Sequence, residues 1–88
     1  RVRVKVFGDV QGVGFRHYAY YRATKIGVNG WVRNNVQDKT VEAVFEGEDG
    51  KVDDMVEFCR RGPSGAYVEH VDIFVEPFKD EFKNFSIL

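Results

Sequence analysis

Arg1-Val2-Arg3-Val4-Lys5-Val6 sets a cation against a valine at every step, and the run is broken at Gly8. Successive side chains of an extended chain point to opposite faces, so this alternation predicts a half-buried strand. The period then changes. Phe15, Ala19, Ala23 and Ile26 are spaced four, four and three residues apart, which places them on one face of a helix from Arg16 to Ile26. Gly27 is positioned to end it. A strand that passes through a glycine-broken loop into an amphipathic helix opens an α/β unit.

The rest of the chain completes the unit. Gly30–Asn34 and Thr40–Glu46 read as a second and third strand, the latter with Val41, Ala43 and Phe45 on one face, and Asn35 to Lys39 forms the turn between them. Val52, Met55, Val56 and Cys59 recur at helical spacing, with Asp53 and Asp54 early and Arg60 and Arg61 late, as the helix dipole favours. Gly62 and Pro63 stop this helix. Val71, Ile73 and Val75 alternate in a fourth strand, and Phe85 with Ile87 marks a short fifth one after Pro77. The order β-α-β-β-α-β plus a terminal strand predicts a ferredoxin-like α/β (α+β) sandwich: a mostly antiparallel sheet covered on one face by two helices, with an added C-terminal edge strand. No repeat, linker or low-complexity tract interrupts it, so residues 1–88 are expected to form one domain.

Composition agrees. Thirty-eight of 88 residues are apolar, and fifteen valines and eight phenylalanines stand against a single leucine, so strands should supply much of the core. A chain this size has no room for a second domain. The longest unbroken apolar run is Tyr18–Tyr21, four residues, where a membrane-spanning helix needs about twenty. No charged head with an apolar stretch and cleavage site opens the sequence, so a cytoplasmic location is expected. The single cysteine, Cys59, has no intramolecular partner and falls on the apolar stripe of the second helix, which predicts an inert buried thiol. His17 and His70 are isolated, offer no zinc spacing and read as surface residues; no metal and no cofactor is expected. Trp31, alone in a strand, is expected to pack in the core. Tyr18, Tyr20 and Tyr21 are too close together for one helix face, so at least one should be exposed, where it could rim a ligand pocket.

The net charge of −1 argues against nucleic-acid or membrane-surface binding. Its distribution is uneven. Residues 1–34 hold seven basic residues against Asp9 alone, a net +6, whereas residues 35–88 hold six against thirteen acidic ones, a net −7. The N-terminal part should attract a compact anion. Gly8-Asp9-Val10-Gln11-Gly12-Val13-Gly14 places three of the nine glycines in seven residues between the first strand and the first helix. Gly8, Gly12 and Gly14 can take positive φ and turn successive N–H groups toward one point, making a nest for a phosphate-sized anion at a helix N-terminus. Arg16 stands at the positive end of the helix dipole, a poor place for a cation unless an anion lies between. The same residues also suit a tight turn in which Arg16 pairs with Asp9. The loop is neither nucleotide fingerprint: Phe15 and Arg16 follow Gly14 where a P-loop needs Lys and Ser or Thr, and His17 stands where a dinucleotide motif from Gly12 needs its last glycine.

Gly8-x-Val10-Gln11-Gly12-Val13-Gly14-Phe15-Arg16 and Gly30-Trp31-Val32-Arg33-Asn34, at this spacing, resemble the acylphosphatase family. Gly27-Val28, Val41-Glu42-Ala43, Glu46-Gly47, Gly62-Pro63 and Phe85-Ser86-Ile87 extend the resemblance over nearly the whole chain. It implies an enzyme that hydrolyses carboxyl-phosphate anhydrides without a metal, with Arg16 and Asn34 as catalytic residues and the Gly8–Phe15 loop binding phosphate. It also implies a small acyl phosphate as substrate, inorganic phosphate as product and inhibitor, and a monomer as the default state. A carboxylate leaves readily, so such a reaction needs positioning and charge stabilisation more than a strong acid. Arg16 would grip phosphoryl oxygens through its forked donors, and Asn34 would fix a water in line with phosphorus. Asn34 would otherwise read as the start of a turn. Two positions depart from the family pattern: Asp9 puts a carboxylate beside the anion site, and Asn35-Val36-Gln37-Asp38-Lys39 lacks the usual hairpin glycine and runs one residue longer than a common form.

Beside this reading stand two rivals, the first a non-catalytic binding module that takes RNA on its sheet face or a small ligand in a regulatory assembly. An RNA-binding module would want aromatic and basic residues on the third strand, whereas Thr40–Glu46 is acidic with one Phe. An acylphosphatase-like domain belonging to a larger protein, such as a carbamoyl-transferring maturation factor, is the other.

Overall fold

The computed structural model describes residues 1–88. It contains β1 (Val2–Asp9), α1 (Phe15–Ile26), β2 (Asn29–Asn35), β3 (Thr40–Glu46), α2 (Asp49–Arg61), β4 (Tyr67–Val75) and β5 (Phe85–Ile87). The strands form one sheet in the order β4-β1-β3-β2-β5, antiparallel except where β5 lies parallel to β2. The predicted ferredoxin-like α+β sandwich, with its added edge strand, is the observed fold.

Both helices pack on one face of the sheet. Val4 and Val6 of β1, Val32 of β2, and Val41, Ala43 and Phe45 of β3 meet Phe15, Ala19 and Ala23 of α1 and Val52, Met55, Val56, Phe58 and Cys59 of α2 in a single buried cluster. The alternation read at the N-terminus is what turns the valines inward. Gly27 ends α1 in a left-handed conformation, its N–H bonded to the Ala23 carbonyl at 2.9 Å.

Several boundaries differ from those expected: α1 starts at Phe15 instead of Arg16, and β2 runs from Asn29 to Asn35, taking in the first residue of the expected turn. α2 begins at Asp49, three residues before the first apolar position, because Asp49-Gly50-Lys51 carries no apolar side chain through which a helical period could register. β4 begins at Tyr67, four residues before Val71. Its period is broken where Val6, Phe7 and Gly8 face Val71, His70 and Val68, which leaves Glu69 as an extra residue in a bulge. β1 runs one residue past Gly8, with Asp9 opposite Tyr67.

The helix-free face of the sheet carries Trp31, contrary to the expectation of core packing. Its ring is half-buried beneath the Arg33 guanidinium, 5.0 Å from the ring centre. The same face is a lattice of ion pairs. Arg1 pairs with Glu46, Glu76 and Glu81, Arg3 with Glu42 and Glu76, Lys5 with Asp38, and Arg33 with Glu42. This corrects the inference drawn from charge distribution. With Arg22 paired to Asp54, five of the seven basic residues in the N-terminal part face carboxylates, so no broad positive field is left. Of those seven, only Arg16 and Lys25 pair with no acidic side chain.

Candidate active site

The β1–α1 loop is fixed from below. Val10 and Phe15 at its two ends are buried in the core, Phe15 meets the Phe58 ring edge-on at 5.5 Å, and Val13 between them packs against the same cluster. Those side chains face inward, so only their main chain is free to meet a ligand. Gly12 and Gly14 have φ of 75° and 80°, while Gln11, Val13 and Phe15 have negative φ. Handedness that alternates in this way turns successive N–H groups to one concave side. A Cβ on Gly12 would touch no protein atom within 4 Å. The glycine therefore supplies its φ and leaves open the space above the cradle.

Helix α1 adds to this concavity. Its N-cap, Gly14, offers no side-chain acceptor, there is no acidic residue in the first turn, and the bond from Tyr18 N–H to the Gly14 carbonyl (3.0 Å) is the first of the ladder. The N–H groups of the first turn are left without an intrahelical partner, at the positive end of the dipole.

Arg16 comes from the first turn of α1 and Asn34 from the far end of β2, and the fold brings them together. A cleft of about 100 Å³ is lined by Val10, Gly12, Gly14, Phe15, Arg16, His17 and Asn34. This is well below the ~300–1,000 Å³ of sites that enclose larger organic ligands, and it suits a phosphoryl group. Asn34 is opposite Val41 in the β2–β3 ladder, and its side-chain amide has no hydrogen-bond partner in the protein. Arg16 donates through Nη1 to the Leu88 carbonyl at 3.2 Å. It does not pair with Asp9, which lies exposed at the end of β1. Gly8 is at the β1 bulge, outside the cleft lining.

Sequence reasoning gave no role to His17 or Leu88, yet the first lines the cleft and the second holds Arg16. An isolated histidine and a chain-end leucine carry no local signal for either. Tyr18 and Tyr21 are exposed as expected and Tyr20 is partly buried; none of the three lines the cleft. His17 and His70 are both exposed. Cys59 is fully buried, and burial pushes its thiol well above its ordinary pKa. No three His, Cys, Asp or Glu side chains are grouped to hold a metal ion, and no helix is long and apolar enough to cross a membrane.

The turn after Asn34 manages without glycine. Lys39 takes the left-handed conformation (φ 60°). Asp38 accepts from the Thr40 main-chain N–H at 3.2 Å and from its hydroxyl at 2.7 Å, while Asn35 Nδ2 donates to Thr40 Oγ1 and to Glu42. Hydrogen bonds from Lys5 and from the Thr40 hydroxyl and main-chain N–H hold the Asp38 carboxyl down at about 2.

The chain is thus an α+β sandwich in which a glycine-rich strand-to-helix loop, its φ alternating in sign, lies at a helix N-terminus beside an arginine that pairs with no acidic side chain. The chain belongs to the acylphosphatase family, whose model matches residues 2–87. It is 49% identical over all 88 residues to an acylphosphatase of Syntrophus aciditrophicus, covering 91% of that protein. Its fold superposes on the crystal structure of an acylphosphatase from Bacillus subtilis with a TM-score of 0.92, at 32% identity and covering 99% of this chain and 96% of the other. It also resembles one part of the much longer T. kodakarensis HypF, with a TM-score of 0.81, 26% identity, and coverage of 99% of this chain but 11% of that one.

Proposed function

We propose that the protein hydrolyses acyl phosphates to a carboxylate and inorganic phosphate at the Arg16–Asn34 cleft, without a metal ion or other cofactor. The observation that carries this reading is the meeting of those two side chains, from separate elements, over an alternating-handed loop at an uncapped helix N-terminus. Main-chain N–H groups between Asp9 and Phe15 receive the phosphoryl oxygens, together with the donors of Arg16 that Leu88 does not occupy. Charge on those oxygens is stabilised by groups already in place, the effect on which phosphoryl transfer chiefly depends.

Asn34 acts as a positioner. Its carbonyl accepts from a water while its amide donates, which holds the water in line with phosphorus and the departing carboxylate opposite. The water's proton passes to a phosphoryl oxygen, and the P–O bond to the carboxylate breaks as the new one forms. Residues 1–88 serve as one acylphosphatase-like domain, working as a monomer in the cytoplasm on a small molecule. Inorganic phosphate is its competitive inhibitor, and neither nucleic acid nor a membrane takes part. The match over most of a short curated relative supports this reading over that of a module within a HypF-like protein. Phosphate release from benzoyl phosphate by the purified protein in excess chelator tests it; a folded protein that releases none would refute it.

A further inference from the structure

Gln11 lies in the cradle loop, but its side chain leaves the loop. Nε2 donates to the Asn35 carbonyl at 3.1 Å and to the Thr40 carbonyl at 2.9 Å. Carbonyl oxygens only accept, so the amide nitrogen, with its two hydrogens, must be the atom that faces them. Asn35 and Thr40 are the last facing pair of the β2–β3 ladder, and Asn35 directly follows Asn34. One side chain therefore grips both strands at the turn end of the hairpin and ties that end to the loop. No other side-chain hydrogen bond joins the loop to the hairpin.

We propose that Gln11 is a positioning residue for Asn34: it sets the distance between the water-holding amide on β2 and the phosphoryl cradle. The inference rests on the function proposed above. Reacting groups must be held close to their productive separation, and a displacement of about 1 Å can cost ~10²-fold in rate. The turn's own bonds, Asn35 Nδ2 to Thr40 Oγ1 and Thr40 to Asp38, hold the two strand ends to each other, and Gln11 sets where that pair stands relative to the loop. The cradle has its own anchors, Val10, Val13 and Phe15 in the core, and Arg16 stands on α1. Losing the Gln11 bonds should therefore reduce turnover while leaving phosphate binding nearly intact.

The test uses Gln11→Met, which keeps length and removes both donors, and Gln11→Glu, which places a carboxylate oxygen against the two carbonyls. Turnover of benzoyl phosphate and inhibition by inorganic phosphate are measured for each, with folding checked by circular dichroism. We expect kcat to fall at least ~10-fold in both while the phosphate inhibition constant stays within ~3-fold. In an Asn34→Ala background, Gln11→Met should cost less than ~2-fold more, because the residue through which it acts is gone. Near-native kcat in either folded variant would overturn the proposal. So would a phosphate inhibition constant that rises in step with the loss of turnover, or an equal loss in both backgrounds. Absence of turnover in the unsubstituted protein would instead refute the functional reading on which the inference rests.

Discussion

Arg16 Nη1 donates to the Leu88 carbonyl at 3.2 Å, and the Leu88 main-chain N–H in turn donates to the Val32 carbonyl at 2.9 Å. The residue after β5 is thus a strut between β2 and the guanidinium. One donor of the fork is spent on holding its direction, and the others stay open toward the cleft. Preorganisation of this kind matters because a long arginine side chain otherwise loses rotamer freedom when it binds its anion.

Loosening β5 should therefore reach the site. Phe85 is buried and stacks on Phe45 with ring centres 5.9 Å apart. Phe85→Ala is expected to cost ~3 kcal/mol in urea unfolding and, in the fraction that remains folded, to raise KM and weaken phosphate inhibition several-fold. An unchanged KM would show that the strut does not orient Arg16.

Arg16→Lys keeps the charge and loses the fork. A lysine ammonium cannot span two phosphoryl oxygens in a fixed plane, so kcat/KM should fall by ~10²-fold or more with little change in stability. A kinetic comparison at constant ionic strength checks this.

Two glycines should separate fold from function. A Cβ on Gly30 would sit 1.8 Å from the Val44 carbonyl oxygen, at a φ of 141°. Gly30→Ala is expected to destabilise by more than ~2 kcal/mol, because the clash is with backbone of the neighbouring strand. Gly12→Ala meets no protein atom, so its stability cost should stay near the ~1–2 kcal/mol of a left-handed alanine. Its activity should fall further than that, since the methyl group enters the cradle. Thermal unfolding and turnover, measured together, distinguish the two.

Acid should weaken the fold through Glu46. Burial opposes its ionisation, but the N–H groups of Lys79, Asp80 and Glu81 and the Arg1 charge outweigh burial and hold its pKa below the ordinary value. Arg33, Asn35 and Arg3 outweigh burial in the same way at Glu42, while Arg1 and Arg3 lower Glu76. A carboxyl whose folded pKa is depressed stabilises the fold above its unfolded value, ~4.3, and loses that contribution as pH falls through the folded value. The urea midpoint should thus be flat near neutrality and decline below about pH 4. Glu46→Gln should cost ~1–3 kcal/mol at pH 7 and shallow the acid decline. A steeper decline in the variant would contradict the assignment.

Most of the fold was legible because it rests on periodicity: the valines of β1, the alternation of β3 and the helical stripes all follow the faces they bury. What escaped has physical reasons. The polar first turn of α2 shows no period, and the Glu69 bulge breaks that of β4. Trp31 was misplaced because amphipathic aromatics serve either face of a sheet, and here an arginine covers the ring. The cancelled N-terminal charge was invisible because the partners of Arg1, Arg3 and Lys5 lie between 33 and 80 residues away in the chain. The glycine loop and Arg16 could be read from local chemistry, whereas Asn34 needed the family resemblance and Gln11's clamp needed coordinates.

The central claim is that Arg16 binds the phosphoryl group and Asn34 holds the attacking water. The most direct test is benzoyl phosphate hydrolysis in excess chelator by the unsubstituted protein, Arg16→Ala and Asn34→Ala, with the inorganic phosphate inhibition constant measured wherever turnover remains and phosphate binding measured by calorimetry otherwise. The account predicts turnover in the unsubstituted protein, loss of both turnover and phosphate binding in Arg16→Ala, and turnover cut to a residual level with phosphate binding retained in Asn34→Ala. Turnover at the native level in either folded variant would contradict it.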